Sequence, residues 1–191
     1  DLAEVLQQGL QAFKTVVAVM FVDIRGFTQW SAGQSPNDVV QMLNRQHDLM
    51  SRIIHGSGGR VNKFMGDGIL AYFPEHRMRE CFFAADKIQQ TVEDNGLLPV
   101  GIGFDFGEVI MGDVGQEARL DYTLIGATVN FAARMCSSAG KKEIAFSKQL
   151  FDIFDGDIKG KISERYSTRT IRVRVKPSDP ELDAVILERR P

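Results

Sequence analysis

Apolar residues along this chain switch between two spacings, and each switch marks a new element. Leu2, Val5, Leu6, Leu10 and Phe13 recur at helical intervals and predict a short amphipathic helix over residues 1–14. Thr15 to Ile24 is β-branched and almost wholly apolar, the pattern of a central strand buried on both faces. Ser35-Pro36-Asn37-Asp38 then opens a helix, because Pro36 suits a first turn and the Ser35 hydroxyl can cap it. Val39, Val40, Leu43, Leu49, Met50, Ile53 and Ile54 give that helix its apolar side, and Gly58-Gly59 breaks it.

Two strands follow, Arg60 to Phe64 and Ile69 to Phe73, joined by a tight Met65-Gly66-Asp67-Gly68 turn. A helix is expected from Arg79 to about Glu93. Val100 to Phe106 and Glu108 to Gly112 read as a strand pair around Gly107, and Tyr122 to Ile125 as a short strand. Gly126 opens a helix through Val129, Ala132, Ala133 and Met135. Ile144 to Phe146 reads as a strand and Lys148 to Phe154 as a short helix. Thr170 to Lys176 and Asp183 to Leu187 read as edge strands around Pro177 and Pro180. The order predicts one α+β domain, a mostly antiparallel sheet with helices covering one face.

Composition changes this picture little. The chain has 191 residues, 43% hydrophobic and 25% charged, enough for a real core. A net charge of −2 gives no global pull toward nucleic acid or acidic membranes. The longest apolar run, Val16 to Val22, falls far short of the roughly 18 residues of a spanning helix, so no membrane contact is expected of this segment. The first residue is Asp1 and the layout is not that of a signal peptide, so the chain reads as a catalytic domain excised from a longer parent. Cys81 and Cys136 sit in apolar helical contexts and read as buried free thiols, which favours a reducing, cytoplasmic setting, whether or not the parent is attached to a membrane.

The chemistry sits at element ends. Asp23 stands where a buried strand stops, and Asp67 at the tip of an apolar hairpin. Each is costly to desolvate unless neutralised, and a divalent cation between the two would turn that cost into binding. Hard oxygen ligands point to Mg²⁺ or Mn²⁺ rather than zinc. The plainer reading is two separate turn aspartates. After Asp23, Arg25-Gly26-Phe27-Thr28 turns from strand to helix, where exposed main-chain N–H groups can hold phosphate oxygens, although no Walker motif exists. Asn130 and Arg134 share one face of the helix opened by Gly126, which alone would read as a polar stripe.

Three segments in order, Phe21-Val22-Asp23-Ile24-Arg25-Gly26-Phe27-Thr28, Lys63-Phe64-Met65-Gly66-Asp67 and Tyr122-Thr123-Leu124-Ile125-Gly126-Ala127-Thr128-Val129-Asn130-Phe131-Ala132-Ala133-Arg134, closely resemble class III adenylate and guanylate cyclases. The resemblance implies a ferredoxin-like, palm-type fold over residues 15–191 and a head-to-tail homodimer with sites at its interface. By the same resemblance, Asp23, Asp67 and the Ile24 carbonyl hold two metal ions per site, and Gly26, Phe27 and Thr28 meet the phosphates. One ion lowers the pKa of the ribose 3′-hydroxyl of ATP, the other clamps the triphosphate, and in-line attack on the α-phosphate releases pyrophosphate. Asn130 orients the ribose, and Arg134 stabilises charge on the α-phosphate.

Lys63 occupies the family's purine-reading position, where a Lys donor suits N1 of adenine; guanylate cyclases place Glu there. Thr123 takes the second purine position, which holds Asp in many adenylate cyclases and Thr in a bicarbonate-responsive subset. Lys176 is the candidate for the terminal phosphates, although Pro177 follows it where the family has Gly. Arg165, Arg169, Arg172 and Arg174 read as decoration of an exposed strand, and His47, His55 and His76 as surface residues. The expected activity is therefore an adenylate cyclase. A guanylate cyclase, a degenerate cyclase-like module that only dimerises or binds nucleotide, and a generic α+β interaction domain are the alternatives.

Overall fold

The computed structural model describes residues 12–116 and 119–190. Strand β1 (Phe13–Ile24) starts at Phe13 rather than Thr15; the rest of the expected leading helix, Leu2 to Leu10, lies outside the described residues. Then come α1 (Phe27–Ser31), α2 (Pro36–Gly56), β2 (Arg60–Met65), β3 (Gly68–Pro74) and α3 (Met78–Asp94). They are followed by β4 (Val100–Gln116), β5 (Arg119–Ile125), α4 (Ala127–Ser138), β6 (Glu143–Ser147) and α5 (Lys148–Ile153). The chain closes with α6 (Gly156–Arg165), β7 (Tyr166–Val173) and β8 (Leu182–Arg189). The strands lie in the order β2-β3-β1-β4-β6-β8-β7, with β5 pairing β4. Every pairing is antiparallel except β4 with β6.

Strand alternation explains why β1 is apolar on both sides. Ala18, Met20, Val22 and Ile24 enter the main core with Met50 and Ile54 of α2, Phe82 and Ile88 of α3, and Ile158 and Ile162 of α6. Val17 and Val19 point the other way and pack with Leu70, Val109, Leu124 and Ala132. That second face carries α4, so helices cover both faces rather than the one expected. Ser35 caps α2, its hydroxyl accepting from the Asp38 N–H.

Two strand expectations change for physical reasons. β4 is continuous through Gly107, which lies opposite Val17; a Cβ there would sit 2.6 Å from Thr128 Oγ1. The glycine serves the close approach of α4, not a turn. Under the same helix, a Cβ on Gly103 would fall 1.9 Å from the Cys136 nitrogen. β8 is interior, as the unbroken burial of Ala184–Leu187 requires, and β7 alone forms that edge. α6 was not expected, because Ile158 and Ile162 are its only buried positions.

Candidate active site

Asp23 is the penultimate residue of β1, on the face that carries α4, and it lies opposite Gly68 in the β1–β3 register. The hairpin between β2 and β3 turns through Gly66 at φ 62°, a left-handed conformation that favours glycine, and so sets Asp67 beside Asp23. Partial burial first, and then the Asp67 carboxylate, hold the Asp23 pKa above its ordinary range, opposed by Arg25. The Arg25 guanidinium reaches Asp23 Oδ2 at 2.5 Å. Asp23 and Asp67 therefore bring two carboxylates close together, with the Arg25 guanidinium as a counter-charge on the Asp23 side.

Gly26 follows at φ 79° and accepts from Trp30 N–H at 3.0 Å as α1 begins. Phe27 packs against the main core while Thr28 is exposed. A Cβ on Gly26 would lie 3.8 Å from Lys141 Nζ, so this turn is bordered by a cation that the sequence pattern did not single out.

Lys63 is half-buried on β2 and lies opposite Leu70. A register shift between Val61 and Lys63 sets this placement, as a bulge re-aims a side chain. Leu70 and Phe21 share the face of Asp23, so Lys63 does too. β5 packs against β2, Leu124 joins Leu70 in one apolar cluster, and Thr123 is the half-buried neighbour of Leu124.

On α4, Asn130 and Arg134 are both exposed. The helix start is fastened to β4 by Thr128 Oγ1 donating to Glu108 O at 2.9 Å. Asn130 and Lys176 line one cleft of about 680 Å³ with Asp105, Lys148 and Asp183. Asp23 opens instead on a smaller cavity of about 270 Å³, against Ala133, Cys136 and Ser137 of α4, which neither Asn130 nor Arg134 lines. A single chain thus gathers the aspartates at one place and the Asn130 cleft at another.

Other expectations are corrected here. His47 is half-buried, stacked on Phe64 at 4.9 Å and bonded to the Asp67 main chain; burial lowers its pKa, opposed by those Asp67 contacts. Arg165 pairs with buried Asp86 at 2.9 Å and Arg169 with Glu143 at 2.6 Å, so neither is simple decoration. Arg174 pairs with Glu181, and His55 and His76 are exposed as expected. Both cysteines are buried free thiols.

Asp105 was also not anticipated. Ser147 Oγ donates to its Oδ1 at 2.7 Å, and burial, opposed by this bond and by the Phe106 N–H, pushes its pKa up to about 6 from 3.8. The folded chain therefore holds this proton up to about pH 6, whereas the unfolded chain releases it near 3.8, so stability falls as pH rises through that window. Asp105→Asn keeps an acceptor for Ser147 and removes the charge. It is expected to match the parent near pH 4 and to exceed it by roughly 1–3 kcal/mol above pH 6. Thermal unfolding across that pH range checks this; equal melting temperatures at pH 7.5 would show that the Asp105 charge carries no penalty.

The family profile described as the adenylate and guanylate cyclase catalytic domain matches residues 11–178. The chain belongs to that family. The cyclase domain is 34% identical over 132 residues to an adenylate cyclase of Anabaena cylindrica, covering 62% of this chain and 26% of that protein. It spans about a quarter of the length of the curated relatives it matches. Its fold superposes on the adenylyl cyclase CyaB from P. aeruginosa with a TM-score of 0.75 at 24% identity, covering 95% of this chain and 98% of that one. The guanylyl cyclase Cya2 superposes with a TM-score of 0.67 at 30% identity, covering 95% and 93%. The α+β fold and the cyclase family expected from the three motifs are both found.

Proposed function

We propose that this domain is an adenylate cyclase that converts ATP to 3′,5′-cyclic AMP and pyrophosphate at composite sites of a head-to-tail homodimer. The observation that carries the base assignment is Lys63, half-buried on β2, which packs against the strand β5 that bears Thr123, so one chain brings both purine-reading positions together. Its ammonium suits the acceptor N1 of adenine, and the Thr123 hydroxyl can accept from the 6-amino group. Guanine presents an N–H donor at that edge, which a Lys cannot pair.

Asp23, Asp67 and the Ile24 carbonyl fit a hard cation. The Asp67 carboxylate lies close enough to help raise the Asp23 pKa, and among the described residues no third His, Cys, Asp or Glu joins them. Two carboxylates with substrate phosphates are the usual partners of Mg²⁺. Bound Mg²⁺ or Mn²⁺ would supply the positive charge that acidifies the ribose 3′-hydroxyl and offsets that of the triphosphate. The chain's own groups do the rest. Main-chain N–H groups at Gly26, Phe27 and Thr28 receive phosphate oxygens. From the partner's α4, Asn130 orients the ribose and Arg134 meets the charge that builds on the α-phosphate. Lys176, in the same cleft as Asn130, faces the terminal phosphates.

Product analysis of the purified domain with ATP or GTP, in Mg²⁺ or Mn²⁺, tests the reading directly; cyclic GMP as the main product would replace it with a guanylate cyclase. The double variant Lys63→Glu with Thr123→Cys is expected to lower the ATP/GTP preference by about 10² or more, because mismatched buried polar groups go unpaired. An unchanged ratio would remove both residues from base recognition.

A further inference from the structure

Arg25 belongs to the motif that carries Asp23, yet the proposed chemistry leaves it without a role. Its guanidinium is braced in two directions. One nitrogen donates to Asp23 Oδ2 at 2.5 Å, and the other donates to the Cys136 carbonyl in the last turn of α4. The side chain is 22% exposed, and its Nε is buried without an acceptor, so the two terminal nitrogens hold it. It lies across Gly101 of β4, where a Cβ would stand 2.5 Å from Nε, and its own main-chain N–H is fixed by Pro99 O at 2.7 Å. Asp23 Oδ1, the oxygen not bonded to Arg25, lies by the hairpin, 3.4 Å from where a Cβ on Gly68 would be. A guanidinium at a helix C-terminus also suits the carbonyls there.

We infer that Arg25 is a positioning strut that turns Asp23 toward the Asp67 hairpin and braces the helix carrying Asn130 and Arg134, thereby linking the two composite sites of the dimer. This rests on the head-to-tail reading. In that assembly, Asp23 of one chain serves one site while α4 of the same chain serves the other. One side chain then touches the machinery of both.

A ligating carboxylate whose supporting hydrogen bond is lost binds its ion roughly 10- to 100-fold more weakly. Mn²⁺ binding to the whole domain, followed by electron paramagnetic resonance, should weaken by that factor in both Arg25→Gln and Arg25→Lys, because a single ammonium cannot span Asp23 and Cys136. Tighter binding by Arg25→Gln with none lost in Arg25→Lys would overturn the strut, since Arg25 would then be only a charge opposing the cation.

Heterodimers purified through two different tags separate its two arms. Paired with Asp23→Ala, an Arg25→Gln chain offers one live site built on its own aspartates. Paired with Arg134→Ala, it offers one live site built on its own α4 and intact partner aspartates. Both should fall roughly tenfold or more below the Asp23→Ala with Arg134→Ala heterodimer. If only the first pair falls, Arg25 acts on Asp23 alone and the link between sites is refuted. If the control heterodimer is itself inactive, the shared-site reading has failed and the link fails with it, while the Mn²⁺ result still judges the hold on Asp23.

Discussion

Asp67→Ala is expected to abolish cyclic nucleotide formation while leaving the fold intact. Asp67 sits at the hairpin tip, where Gly66 supplies the left-handed turn and the Met65–Gly68 pair closes the strands, so the backbone does not need the carboxylate. Its removal takes away half of the carboxylate pair that would hold the cations. It also relieves Asp23 of the neighbour that helps to raise its pKa. Asp23→Ala removes the other half and leaves the Arg25 guanidinium held only at Cys136, by its carbonyl and sulfur. Each variant should lose a factor of about 10³ or more in kcat, the scale on which preorganised charge stabilisation at a phosphoryl centre operates. Product formation at saturating Mg²⁺ or Mn²⁺, beside a urea unfolding curve, checks both halves of the statement. A variant that keeps more than a few per cent of the parent rate would show that its aspartate is not a metal ligand.

The motifs were legible because their chemistry is local. Asp23, Gly26 and Asp67 stand at strand ends and turns, and such positions announce themselves through the apolar runs that stop beside them. The sheet was legible for the same reason wherever period-two alternation or a continuous apolar run matched a strand. What the pattern missed depends on contacts distant in sequence. Gly107 read as a turn, because a glycine that admits a helix looks the same in one dimension as a glycine that bends a strand; its meaning comes from Thr128. Two faces of helices instead of one could not be read, since α4 crosses the sheet on the side opposite α2, α3 and α6. Arg25 stands inside the Asp23 motif, but its partner Cys136 lies 111 residues away. His47 reads as a surface residue and Asp105 as one more strand position, because what buries them, Phe64 for His47 and Ser147 for Asp105, is distant in sequence.

The separation of Asp23 from the Asn130 cleft within one chain carries the last prediction. If each active site takes its aspartates from one chain and Lys63, Thr123, Asn130 and Arg134 from the other, a symmetric dimer holds two equivalent sites. Asp23→Ala and Arg134→Ala are then each inactive alone, and mixing them should restore turnover. In a mixed dimer one site inherits both lesions, while the other joins intact aspartates to an intact Arg134. Random exchange of equal amounts makes about half of the dimers mixed, each with one working site, so recovery should approach about a quarter of the parent rate. Dilution should lower the specific activity of the parent and of the mixture alike, because dimers dissociate by mass action. The check is a mixing experiment in which tagged chains demonstrate exchange. Exchange with no recovered activity would mean that every chain holds a complete site, which would have to join the Asp23 cavity to the Asn130 cleft by a rearrangement of α4.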